Sequence, residues 1–293
     1  MDYLTRRAAL AAGITDQQLR TARMRGERAS ILRGCTVIRS DWDALAAHEQ
    51  YAVTVRAFAD AGISGVLSHE SAAALHGLAL LRPDRSRIHE SADGRGGGTT
   101  SSRRKFYRFP LAPEDCTVVD SIPVTTPART ALDIACRGTF DQAVCAVESA
   151  LRLGADFVEP LERLGRRHGL AMVRRAVDFA SPLTESIGES WSRALMTRWP
   201  EVPAPRLQHA FMDRRGAIGR TDFDWEDMVG EFDGLSKYGN RSSLVKEKLR
   251  EDRLRALGLH VVRWVWSDLT HPERLRRILR DGFALLESRS YIR

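Results

Sequence analysis

The spacing of apolar positions along the chain changes repeatedly, and the changes mark its elements. Thr5 to Ala12 reads as a short alanine-rich helix closed by Gly13. Thr15-Asp16-Gln17-Gln18 has the form of a capping box, with Thr15 as N-cap and Gln18 three residues on. It opens a second helix that runs to about Arg25 and stops at Gly26. Leu19 and Ala22 pack inward on that helix, which leaves Gln17, Arg20, Arg23 and Met24 on its other faces. Ser30 to Ile38 then reads as a tight hairpin turning at Arg33-Gly34. Two short helices followed by a hairpin is the minimal winged helix-turn-helix order.

The middle of the chain mixes the two periods. One helix is expected over 42–63, and a short capped helix over Ser68–Gly77. A strand is expected at Arg87–Glu90 and a basic Gly/Ser/Thr-rich loop at Asp93–Lys105. Strands follow near 105–109, 116–119 and 122–126. Pro127 opens a helix at its first position. Helices cover 139–153, 159–167 and 170–179, and a boundary is placed near Ser181-Pro182.

Beyond it the order is a helix at 184–198, strands at 206–212, 217–225 and 227–233, a helix at 243–257, a strand at 259–266 and a last helix from about 271 to 287. The expected fold is therefore α+β to α/β. It comprises a winged helix-turn-helix over 1–42, an α+β region over 43–180, and a mixed sheet flanked by helices over 181–293.

Charge sharpens this outline. The first forty residues hold eight arginines against three acidic residues, +5 of the whole chain's +7. Arginine forks match phosphate and guanine edges, so Gln17, Arg20, Arg23, Arg25, Arg28 and Arg33 form the expected DNA-contacting set, with double-stranded DNA as partner. No long apolar run is present, no secretory leader is expected, and the four cysteines fit no zinc or disulfide pattern. A cytoplasmic location with no membrane partner is the resulting expectation.

Asp222-Phe223-Asp224 and Glu231-Phe232-Asp233 lie on successive strands. The period of two puts Asp222 with Asp224, and Glu231 with Asp233, on shared faces. Pairing of the strands would gather up to four carboxylates, a costly cluster that Mg²⁺ or Mn²⁺ would relieve. Asp222, Glu231 and Asp233 are the expected metal ligands. Glu189 either joins them or completes a capping box with Ser186. Lys237 either stabilises a phosphate at that site or is a solvated loop lysine. On the helix at 243–257, Lys246, Lys248, Arg250 and Arg253 stand opposite Leu249, Leu254 and Leu257 and read as a solvated face. His69 and His76 read as structural histidines.

Two resemblances follow. Gly219-Arg220-Thr221-Asp222-Phe223, Val229 to Gly234, and the run from Glu247 through Arg250 and Gly258 to Arg263 resemble the PD-(D/E)XK nucleases similar to very-short-patch-repair endonucleases. That resemblance implies a restriction-endonuclease-like fold and a metal-dependent endonuclease site at Glu189, Asp222, Glu231, Asp233 and Lys237. It departs at the family's lysine, whose place is held by Asp233. Leu32-Arg33-Gly34, Leu67 to Gly77 and Ile122 to Asp133 resemble AbiEi-type antitoxins. That resemblance implies operator binding, autorepression and a nucleotidyltransferase-like toxin as partner. Three functions follow: a Mg²⁺-dependent DNA endonuclease of toxin–antitoxin or defence type, a non-catalytic antitoxin and autorepressor, or a protein-interaction module that holds a partner toxin with residues 50–180.

Overall fold

The computed structural model describes residues 2–94, 97–234 and 241–290. Its contacts group the chain into two compact units, 1–137 with 155–170 and 138–154 with 171–293. It is a mixed α+β protein with three separate sheets.

The first unit opens with β1 (Leu4–Thr5), α1 (Arg6–Ala11), α2 (Asp16–Met24), β2 (Arg28–Leu32) and β3 (Cys35–Ile38). The strands form a small sheet in the order β1-β3-β2. Thr15 and Gln18 form the capping box that starts α2, and Gly34 adopts a left-handed φ of 73° at the hairpin tip. Next come α3 (Arg39–Ala44) and α4 (Ala47–Asp60). A single helix was expected here, but Leu45 and Ala46 are extended, with ψ of 142° and 155°. Trp42 and Leu45 pack on Ala29, Val37 and Val53, and the Glu49 carboxylate accepts from the Ala46 N–H at 2.8 Å to restart the helix.

The unit's larger sheet contains β4 (Val66–Leu67), β5 (Ile88–Ala92), β6 (Thr99–Thr100), β7 (Arg104–Arg108), β8 (Cys116–Val119) and β9 (Ile122–Thr125). Their order is β6-β7-β5-β4-β9-β8. Between β4 and β5 lies α5 (His69–His76), ended by left-handed Gly77. After β9 comes α6 (Pro127–Ala135), opened by Pro127. Tyr51, Val55, Leu67, Leu75, Ile88 and Val124 form the core beneath α4 and α5.

The chain then contributes α7 (Phe140–Leu151) to the second unit, returns to the first as α8 (Val158–Arg163), and leaves it again with α9 (Leu170–Phe179). So α7 and most of α9 group with the C-terminal sheet, on the far side of the boundary suggested at Ser181-Pro182. The physical reason is α10 (Ile187–Met196): its Trp191 indole donates to Asp141 on α7 at 3.0 Å.

The second unit's sheet is β10 (Arg206–Asp213), β11 (Gly216–Asp224), β12 (Met228–Asp233) and β13 (His260–Val265), in that order. The first two pairings are antiparallel, and β12 with β13 is parallel. Between β12 and β13 runs α11 (Arg241–Ala256), and after β13 come α12 (Trp266–Thr270) and α13 (Pro272–Ser290). One face carries Phe232 against Gly188 of α10, Trp264 bonded to Ser192, and Met228 and Val262 against Gly282 of α13. The other face carries Ile218, Val229 and Val261 against Leu254 of α11.

Candidate functional site

Three groups of polar residues compete as functional sites. The first lies on α2 and the hairpin that follows. Leu19 is buried, and its helical period turns Gln17, Arg20 and Met24 to solvent. Arg20, Arg23, Arg25 and Arg33 are all exposed. Among the described residues Arg20, Arg23 and Arg33 form no ion pair, and Arg25 only approaches Glu27 at 4.0 Å. Arg23 lies within reach of the Ser30 hydroxyl at 3.3 Å, which links α2 to the hairpin. Arg28 differs from the rest. It is half-buried and donates across the hairpin to the Thr36 hydroxyl at 2.9 Å and carbonyl at 3.3 Å. It braces the hairpin, whereas the others stay exposed on α2, at its end and at the hairpin turn.

The second group is the carboxylate row of the C-terminal sheet. The pairing of Phe223 with Gly230 on β11 and β12, and of Glu231 with Arg263 on β12 and β13, sets Asp222, Glu231 and Arg263 in line across the strands. Each carboxylate is already engaged. Asp222 accepts from the Phe232 N–H at 2.9 Å and from Gln208 at 3.3 Å. Gln208 also donates to Glu189 at 3.0 Å, and its φ of 52° is a left-handed geometry that costs energy for a residue with a side chain. Glu189 takes the Glu185 N–H at 2.8 Å, while its own N–H donates to Ser186, so it caps α10 and touches Gln208 together. Glu231 is ion-paired with Arg250 and Arg263, each at 2.6 Å. Burial raises its carboxyl above the usual range, and the two guanidiniums oppose that shift. Asp233 receives Arg263 at 3.1 Å and 3.2 Å.

Asp224 turns elsewhere, to Arg206 at 2.8 Å and His209 at 3.4 Å. The four strand carboxylates therefore do not converge. On and just before α10, Glu185 pairs with Arg220 and Arg193 with Glu148. Nor is the basic face of α11 wholly solvated. Arg250 reaches Glu231, and Arg253 takes Asp213 at 2.6 Å and 2.8 Å, while Leu249 stays exposed. Among the described residues no group of three or more His, Cys, Asp or Glu is placed to hold a metal ion. The donors expected for Mg²⁺ or Mn²⁺ do not fit that ion as arranged, because guanidinium, amide and backbone N–H groups occupy their oxygens. Lys237 lies outside the described residues.

The third group was not singled out from the sequence. Arg129 on α6 is fully buried and joins Asp115 at 2.6 Å and Asp133 at 3.1 Å. Arg163 and Arg167 close the same network on Asp115 and Asp133. Beside it, His69 is buried at φ 48° and stacks on Tyr107 with ring centroids 3.9 Å apart. The Tyr107 hydroxyl is 3.0 Å from His89. Burial holds His69 well below the ordinary histidine value and lowers His89 as well. The only sequence signal was the Arg129/Asp133 spacing of four on one helix face. His76 bonds the Thr125 carbonyl at 2.7 Å.

Residues 63–180, which include this network, match the family model of the AbiEi antitoxin C-terminal domain. Two uncharacterised proteins of Mycobacterium tuberculosis, MT2308 and Rv2248, are each 30% identical to this chain over 159 residues. That stretch is 52% of this chain, and the chain spans 58% of the length of those relatives. The crystal structure of the RV2827C protein from the same organism is similar at 16% identity and a TM-score of 0.40, covering 73% of this chain and 84% of that one. Among the described residues no helix is long and apolar enough to cross a membrane.

Proposed function

We propose that the protein is a DNA-binding antitoxin that represses its own operon and engages a nucleotidyltransferase-like toxin through residues 63–180. The observation that carries the reading is the antitoxin-family match over those residues, in a chain whose preceding segment is a basic helix–helix–hairpin. In a winged helix-turn-helix the second helix enters the major groove, and here α2 presents Gln17 and Arg20 outward with Arg23 and Arg33 beside them. Arginine at such positions reads guanine edges bidentately and binds phosphate without sequence preference.

The C-terminal unit is proposed as a nuclease-like scaffold rather than a working endonuclease. In a metal-dependent nuclease the carboxylates stay open to the cation. Here Arg250 and Arg263 give Glu231 and Asp233 the positive charge that a cation would otherwise supply.

DNase footprinting with the full chain on DNA upstream of its own gene tests the reading. The expected result is a protected site, together with repression of a reporter driven from that DNA. Uniform protection without a preferred site, and no repression, would reject it. Co-expression with a neighbouring nucleotidyltransferase-like gene should restore the growth that the toxin alone suppresses.

A further inference from the structure

In the second unit α7, α9 and the C-terminal end of α10 border an open cavity of about 450 Å³, lined by Phe140, Asp141, Arg175, Phe179, Thr197 and Arg198. It falls within the roughly 300–1,000 Å³ of small-molecule sites. Its chemistry is uneven in a telling way. Phe140 and Phe179 form an aromatic wall, with ring centroids 5.7 Å apart and planes inclined at 53°. The Arg175 guanidinium lies 4.1 Å from the Phe140 centroid. Arg193, paired with buried Glu148, lies 4.4 Å from the Phe179 centroid and holds that ring.

Two cations stand at the rim. Arg198 is half-exposed and bonds Asp141 at 2.6 Å. Asp141 is itself fixed by the Trp191 indole, so Arg198 is braced in place. Arg175 is exposed and, among the described residues, forms no ion pair. The lining thus keeps a net positive charge beside two aromatic faces. A base can stack on phenylalanine whatever its identity, and a guanidinium fork receives phosphate oxygens two at a time.

We infer that this cavity binds a nucleotide, its base on the Phe140/Phe179 wall and its phosphate on Arg175 and Arg198. The nucleotide is either free or an unstacked one in a single strand, and both present the same base and phosphate. The proposal is independent of operator binding by α2.

The test is calorimetric titration of the full chain with AMP, CMP, GMP and UMP, and with a short oligothymidylate, in an Arg20→Ala/Arg23→Ala background that removes the α2 contribution. Arg175→Glu should weaken binding by at least about tenfold, and Phe179→Leu by about tenfold through lost stacking. Arg174→Glu makes the same charge change at an exposed neighbour outside the lining and should have little effect. Monophosphate binding with this pattern assigns a free nucleotide. Oligothymidylate binding with this pattern, and no monophosphate binding, assigns an unstacked strand nucleotide. Absence of both at millimolar concentration overturns the proposal. So does equal weakening by Arg174→Glu and Arg175→Glu, or inorganic phosphate competing as well as nucleotide while Phe179→Leu changes nothing. Arg175 is exposed, so its variant folds even if Phe179→Leu does not.

Discussion

Arg20 and Arg23 on α2 stand in solvent with no carboxylate paired to them among the described residues, whereas Arg263 on β13 holds Glu231, Asp233, Glu247 and Glu251 together. The residue type is the same and its use is opposite. An arginine saturated by four carboxylates has no hydrogen-bonding capacity left for phosphate, and its field cancels locally. An unpaired arginine on a helix face keeps both. A count of basic or acidic residues therefore does not locate a site, and the partner of each charge does.

Removing a committed arginine should have the largest effect. Arg129→Ala leaves Asp115 and Asp133 buried without their central cation, and the first unit should lose about 3–5 kcal/mol. Chemical denaturation followed by circular dichroism reads that loss, and a change under about 1 kcal/mol would contradict the network's structural role. Arg263→Ala is milder because the guanidinium is a quarter exposed, and about 2 kcal/mol is expected. This variant also frees Asp233 and leaves Glu231 with Arg250 alone. Its melting temperature should rise on adding Mg²⁺, while the parent's should not respond. A parent that responds equally would mean that Arg263 does not stand in for a cation.

Acid sharpens the same contrast. His69 and His89 have folded values depressed below the ordinary 6.5, chiefly by burial. The unfolded chain then binds protons more readily than the folded one. Their contribution is fully present above about pH 6.5 and is lost as pH falls below it, by up to about 1.4 kcal/mol per pH unit for each histidine. His69→Asn, which keeps a residue tolerant of left-handed φ, should flatten that slope in pH-dependent unfolding. The smallest effect is expected of Asp222→Ala in a plasmid assay with Mg²⁺ or Mn²⁺. Parent and variant should both leave the DNA intact, and metal-dependent cutting by the parent alone would restore the endonuclease reading.

Much of the fold was legible because its punctuation is local. Gly13, Gly26, Gly34 and Gly77 take the left-handed φ that ends helices and turns hairpins, and Pro127 opens α6 as its ring requires. The break at Leu45-Ala46 was not legible, because it is imposed by packing of Trp42 and Leu45 on the hairpin. The partition of α7 into the second unit depends on its contact with α10, which no local pattern encodes. For the sites, the outward turn of Arg20 followed from the inward turn of Leu19. The carboxylate row was visible as a row, but its neutralisation was not. Arg263 lies 32 residues beyond Glu231 in the chain and meets it only through the parallel pairing of β12 and β13.

The central claim is that the first unit reads DNA through the unpaired arginines of α2. The most direct test is fluorescence anisotropy of the full chain on DNA from upstream of its own gene and on a scrambled duplex, across a salt series, with and without Arg20→Ala/Arg23→Ala. The account predicts a preference for the upstream DNA and a steep fall of affinity with salt. It also predicts that the double variant loses at least about tenfold in affinity and about two units of the log–log salt slope, with its melting temperature unchanged. A double variant that binds with the parent's affinity and slope would contradict it.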